Sequence, residues 1–185
     1  MIAAIASRLS HLGGTLRDDR RGVALIEFAF AAPILMLLFV GGYQLSDAFF
    51  AYRKVTLATR TISDLTTRFT KVSDEDLDTI LNASQQVMAP YKPSAATMTV
   101  SQINIDKDGN STVDWSRGKN MSGLTKNAAF TLPAAIKQPN TSLIVSQITY
   151  TYRPVIASGT LGTIPLKEQM IMSPRASATI PLDNS

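Results

Sequence analysis

Residues 20–46, RRGVALIEFAFAAPILMLLFVGGYQLS, constrain this chain more than any other stretch. Two arginines and a glycine lead straight into an apolar run that holds a single carboxylate, Glu27. From Phe28 to Ser46 no residue is charged. About 20 apolar residues in a helix cross about 30 Å of hydrocarbon. A buried core helix would be shorter and would carry a polar face; a helix apolar all round suits a membrane span. It is the one such stretch, so the sequence reads as single-pass. An acid near the start of a span is costly to desolvate and calls for a reason.

The flanks suggest an orientation. Arg8, Arg17, Arg20 and Arg21 precede the span, against Asp18 and Asp19. A Lys/Arg excess beside a span holds that side in the cytoplasm. Arg53, Lys54 and Arg60 follow the span and weaken the contrast. The leader is too short to fold, whereas the portion after the span is domain-sized, so the expected arrangement has the N-terminus in the cytoplasm and the C-terminal domain outside it.

A chain of 185 residues allows one modest globular domain plus the span. Residues 71–185 carry ten Lys/Arg against nine Asp/Glu, so the net charge of +4 is not a nucleic-acid footprint. The excess sits in the leader and in the helix just past the span, where it would face lipid headgroups. With no cysteine in the sequence, disulfides, iron–sulfur clusters and thiol catalysis are excluded.

Residues 1–22 admit several readings. A secretory signal peptide has a short apolar core and a small-residue cleavage site; here the run is longer and no Ala-x-Ala ends it. Arg20-Arg21 suggests a twin-arginine signal, but the surrounding residues match poorly and Glu27 would fall inside the apolar core. A plain signal anchor leaves Glu27 as an interfacial acid reaching for headgroups.

The segment Gly22-Val23-Ala24-Leu25-Ile26-Glu27-Phe28 resembles the processing site of Flp-type pilins and pseudopilins. In those leaders the cut follows a glycine before the apolar helix and leaves Glu as the fifth mature residue. Ala29-Phe30-Ala31-Ala32-Pro33-Ile34-Leu35 sharpens the likeness. Arg21-Gly22, four residues, Glu27-Phe28, then Pro33 is similar to the TadE family, minor pseudopilins of tight-adherence (Tad, Flp) pilus systems. The resemblance is specific over about residues 20–60; beyond that, Tyr150-Thr151-Tyr152-Arg153-Pro154 is a loose echo of the family's late strands. Size favours a TadE-like or TadF-like subunit.

The resemblance implies cleavage by a prepilin peptidase between Gly22 and Val23, a processing and assembly motif of Arg21, Glu27, Phe28 and Pro33, and partners among other minor pseudopilins and pilus assembly proteins. It also implies residence in a bacterial inner membrane with the domain in the periplasm, or entry into the pilus. Cleavage would expose a new α-amine on Val23, cationic near neutral pH with a reference pKa of about 8. Glu27 lies one helical turn along on the same side. The likeness to pilins implies that this carboxylate pairs with the new amine of a neighbouring subunit and sets the register between helices; the spacing alone only permits it. Pro33 loosens the helix near Ala29. Gly41-Gly42 allows close helix packing or a flexible point.

The helix is expected to continue past the membrane. Leu45, Phe49, Tyr52, Val55, Ala58, Ile62, Leu65 and Phe69 recur at spacings of three and four, a stripe down one face. Arg60, Asp64 and Arg68 support another face through i, i+4 pairing. One helix over about 23–70 would be about 70 Å long. The expected division is a leader at 1–22, an assembly helix at 23–46, a stalk at 47–70 and an extracytoplasmic α+β domain at 71–185.

In that domain Ser73-Asp74-Glu75-Asp76 predicts a helix start. Leu77, Ile80, Leu81, Ser84 and Met88 form its buried face, and Pro90 and Pro93 close it. Thr97–Ile105, a turn at Asp108-Gly109-Asn110 and Ser111–Trp115 predict a hairpin. Residues 116–140 read as loop, 142–153 as the clearest strand, and 166–180, after a loop through Gly159 and Gly162, as a last strand broken near Pro174. The fold class is α+β: a long helix, a second helix and a mostly antiparallel sheet of about four strands, with the long helix against one sheet face.

Catalysis finds little support. His11, the one histidine, lies in the leader, so the mature chain would lack both His and Cys and with them the usual triads and zinc sites. Asp106-Lys107-Asp108-Gly109-Asn110 resembles the start of a calcium loop but lacks the later acidic ligand, and a hairpin turn explains it without an ion. Trp115 reads as core or edge packing. The expectation is a protein that is not an enzyme, with no cofactor, no metal and no nucleic-acid partner. The alternative is an uncleaved anchor whose outer domain binds another envelope protein or a ligand.

Overall fold

The structure, a computed structural model, describes residues 21–156 and 162–183. Most of the expected leader, with His11, and the Gly159 bend lie outside the described residues. The elements run α1 (Arg21–Thr66), β1 (Val72–Ser73), α2 (Asp74–Val87), β2 (Ala96–Ile105), β3 (Ser111–Lys119), β4 (Thr141–Tyr152), β5 (Ile164–Met172) and β6 (Leu182–Asp183). The chain divides into two compact units, Met1–Leu45 and Ser46–Ser185. The class is α+β as expected, with an antiparallel four-stranded sheet in the order β3-β2-β4-β5.

The second unit packs the α1 residues after Ser46 on one face of that sheet. Val55, Ala58 and Ile62 are fully buried in a core with Met98, Val100, Ile144 and Ile148. The predicted stripe needs correction at its N-terminal end. Leu45, Phe49 and Tyr52 are exposed, and Ala48 and Ala51 take their place against the core. Small side chains let the helix backbone approach the domain, which large aromatics at those positions would prevent. Further along, the buried face includes Thr59, Ser63 and Thr66. Their hydroxyls are satisfied: Thr59 and Thr66 donate to the carbonyls of Val55 and Ile62, and Ser63 Oγ lies 2.7 Å from Ser146 Oγ on β4. A count of apolar residues alone cannot find such positions.

α1 also ends earlier than predicted, at Thr66. The amides of Arg68 and Phe69 reach back three residues, to Leu65 and Thr66, which closes the helix in a tighter turn. Phe69 packs on the core from this turn. Asp64 pairs with Arg68 at 2.6 Å and with Arg175 at 2.9 Å rather than with Arg60.

The α2 prediction holds. Ser73 is the N-cap, with a reciprocal capping box to Asp76, and these hydrogen bonds hold the Asp76 carboxyl below its usual range. Leu77, Ile80, Leu81, Ser84 and Met88 are all buried. Arg117 on β3 ties α2 down with a fork to Asp78, at 2.9 Å from Nε and 2.6 Å from Nη2; this bond lowers the Asp78 pKa.

The hairpin is longer than predicted, because β3 runs to Lys119. Its turn is built by Asp106, whose carboxylate accepts from the amides of Asp108 and Asn110 and from the Asn110 side chain. Gly109 supplies the positive φ of +83°. The register slips between Gln102 and Ile103, opposite an extra residue, Asp114. This bulge turns Trp115 into the helix-side core while Val113 packs on the opposite face.

Residues 120–140 do more than connect strands. Leu132 is buried, and Leu124, Ala128, Phe130 and Ile136 pack with it over the second sheet face, on Ile103, Ile105, Leu143 and Val145. The predicted last strand, 166–180, is also revised. β5 ends at Met172, and the chain then leaves the sheet. It carries Ile180 into the core, where its amide donates to Gln102 Oε1 and its carbonyl accepts from Trp115 Nε1, both at 2.7 Å. β6 then pairs in parallel with β1, joining Val72 to Leu182. Pro174 marks the break correctly, but no strand resumes in the sheet.

One polar knot fixes the start of the packed helix. Asp47, the first charged residue after the uncharged run, accepts hydrogen bonds from Tyr91 at 2.9 Å and from Tyr152 at 2.7 Å. Tyr91 lies in the α2–β2 connection and Tyr152 ends β4.

Two outcomes follow for urea denaturation of the detergent-solubilised chain, followed by the fluorescence of its single tryptophan. Ile62→Ala loses about 3 kcal/mol, whereas Phe49→Ala shifts stability by no more than about 0.5 kcal/mol; equal losses would contradict the observed packing face. Asp47→Ala loses about 1–3 kcal/mol by removing the acceptor shared by Tyr91 and Tyr152. The double variant Asp47→Ala/Tyr152→Phe loses less than the two single losses added together; full additivity would show that the two groups do not interact.

Candidate functional site

The residues singled out by the sequence all fall in α1, and the helix carries them on consecutive turns. Arg21 opens the helix as described, and the Gly22–Val23 bond lies in its first turn. A side chain added at Gly22 would meet open space. Val23, Leu25, Ile26, Phe28 and Phe30 are all exposed, Phe28 at 66%. Val23 and Glu27 stand one turn apart on one side of the helix. Among the described residues, Glu27 has no hydrogen-bond or ion-pair partner. Its neighbours along the helix are apolar, so the carboxylate stands on a hydrocarbon-like surface with nothing among the described residues to compensate it.

Pro33 lies inside α1, and the helix runs through it. Its ring removes the amide that would have bonded the Ala29 carbonyl. α1 is the one helix among the described residues long and apolar enough to cross a membrane, and none of its most apolar window is buried by protein. The single apolar N-terminal helix fits a membrane-anchored protein. Packing within the chain therefore does not account for this surface; lipid or neighbouring helices would.

The chemistry elsewhere is sparse. No cluster of His, Cys, Asp or Glu among the described residues could hold a metal. Both oxygens of Asp106 are engaged within its own turn, which holds that carboxyl below its ordinary range. Trp115 is buried and its indole N–H is spent on the Ile180 carbonyl. What stands out at α1 is a carboxylate on an apolar helix, one turn from the Gly22–Val23 bond.

Sequence reasoning missed Asp47. Its signal was present: a lone acid directly after a long uncharged run. The partner tyrosines, far away in sequence, could not be assigned without the fold.

Comparison with known proteins agrees with this reading at the helix. No curated protein and no solved structure matches the chain. Residues 22–63 match the family model described as TadE-like protein, a stretch that opens at Gly22 and takes in Glu27, Phe28, Pro33 and the packed face as far as Ser63. Over that helix, the chain is similar to the TadE-like family, consistent with a protein of a Tad pilus system.

Proposed function

We propose that this chain is a minor pseudopilin, trimmed by a prepilin peptidase between Gly22 and Val23 and then used in assembly or initiation of a Tad/Flp-type pilus. The TadE-like segment associates the chain with the Tad pilus system and with pilus assembly partners. The observation that carries the finer reading is Glu27: an acid without a partner among the described residues, on an apolar helix, one turn after Val23. Two such helices side by side would remove both desolvation costs at once. The amine of one would neutralise the carboxylate of the other, and the pairing would fix their axial register. Pro33 would add a point of adjustment in the same helix.

In this reading the protein contributes packing rather than catalysis. It sits in the bacterial inner membrane with its N-terminus cytoplasmic and its domain, residues 71–185 with the preceding stalk, in the periplasm. Other minor pseudopilins are its partners before or during incorporation into the fibre.

N-terminal mass analysis of membrane-extracted protein, from cells containing the peptidase, is expected to return a chain beginning at Val23. An intact Met1 or Ile2 terminus would overturn the processing and leave an uncleaved anchor. Glu27→Ala is expected to be cleaved normally yet to lose most pilus assembly, read by electron microscopy of sheared fibres. Normal fibre numbers in that variant would remove the pairing role.

A further inference from the structure

The aromatic residues that the predicted stripe wrongly placed in the core line a groove on the second unit. Phe49, Phe50 and Leu57 are between 50% and 58% exposed. With Pro90 and Tyr91 they wall an open groove of about 860 Å³. Three cations border it: Arg53, Lys54 and Arg60. Among the described residues none of the three has an ion pair or a side-chain hydrogen bond. The nearby acids are engaged otherwise, since Asp47 is held by Tyr91 and Tyr152 and Glu168 by Tyr52. The groove is therefore apolar in its walls and cationic at its rim.

We propose that this groove binds an anionic phospholipid of the bilayer that α1 crosses, an inference that rests on the membrane-anchored reading. Position supports the choice of occupant. Phe49 and Phe50 follow Ser46, the end of the uncharged run, by about one helical turn, roughly 5 Å of rise. That is the depth at which amphipathic and aromatic side chains favour the boundary between acyl chains and headgroups. Arg53 and Lys54 follow at roughly 10–12 Å, just outside a headgroup layer that is about 5–8 Å thick per leaflet but within reach of it for such long side chains. Arg60, at roughly 21 Å, lies beyond that layer. Charge supports the class: unpaired cations over apolar walls match a phosphate joined to acyl chains, and a zwitterionic lipid answers only half of the site. The rival occupant, an acidic helix of another chain, would use Arg60 as fully as Arg53.

The test uses the full chain. Flotation with neutral phosphatidylcholine vesicles first checks anchoring; failure to float would defeat the anchored reading itself. In nanodiscs of mixed phosphatidylglycerol and phosphatidylcholine, spin-labelled lipids then report which headgroup is held at the protein. Phosphatidylglycerol is expected to be preferred by about fivefold or more, and the preference should shrink at high salt. Arg53→Gln/Lys54→Gln should abolish it, while Arg60→Gln should leave most of it. Unchanged circular dichroism would verify that these exposed substitutions preserve the fold. Equal binding of the two lipids by the floating wild-type chain would overturn the proposal, as would a preference untouched by the double variant. A loss in Arg60→Gln as large as in the double variant, or a carboxylate cross-link from Lys54 to a second chain in place of lipid selectivity, would assign the groove to a protein partner instead.

Discussion

A carboxylate at the end of an uncharged run, gripped by two tyrosine hydroxyls, sets the terms for the domain. Asp47 is the point where α1 stops being apolar all round and acquires a buried side. Its two partners come from the α2–β2 connection and from the end of β4, so three separate stretches of chain meet at one residue. A helix can rotate about its axis with little penalty when its face is smooth. A charged hydrogen-bonded knot removes that freedom, because turning the helix would bury a carboxylate without partners. With Asp47 fixed, Ala48, Ala51, Val55, Ala58 and Ile62 face the sheet, and Phe49 and Phe50 face away.

That rotation explains why the sequence was read correctly in class and misread in detail. Periodicity found the long helix, the capped second helix and the hairpin, because each rests on local chemistry: the Ser73–Asp76 box, the Asp106 turn and the alternation along β2 and β4. Hydrophobicity then favoured Phe49 and Tyr52 over two alanines, because a larger side chain looks more core-like. The packed face of α1 selects for fit instead, so alanine, serine and threonine lie against the sheet and their hydroxyls are met by helix carbonyls or by Ser146. The bulge at Asp114, the cover formed by residues 120–140 and the return of β6 to β1 all depend on contacts remote in sequence, to which local patterns are blind.

The candidate site was legible for the opposite reason. Gly22, Glu27, Phe28 and Pro33 lie within a few turns of one helix, and their meaning comes from an acid placed where hydrocarbon is expected. The family match runs from Gly22 to Ser63 and stops within the packed face of α1. What matches the family is thus the long apolar helix and most of the α1 face that packs on the sheet. The sheet that rests on that surface lies outside the matched stretch, whereas Arg53, Lys54 and most of the groove's walls lie within it.

The route of the chain after Met172 bears on the order in which the domain can be completed. Ile180 fills the core and binds both Gln102 and Trp115, and the strand that follows it joins Val72–Ser73. The two ends of that closure are more than a hundred residues apart in sequence. A chain emerging from its N-terminal side can lay down both helices and every strand of the sheet and still have an open seam beside Trp115. Only when the segment around Ile180 has emerged can the seam shut. Until then the nascent domain is a lidless box, with a window in which neighbours or proteases can reach its interior.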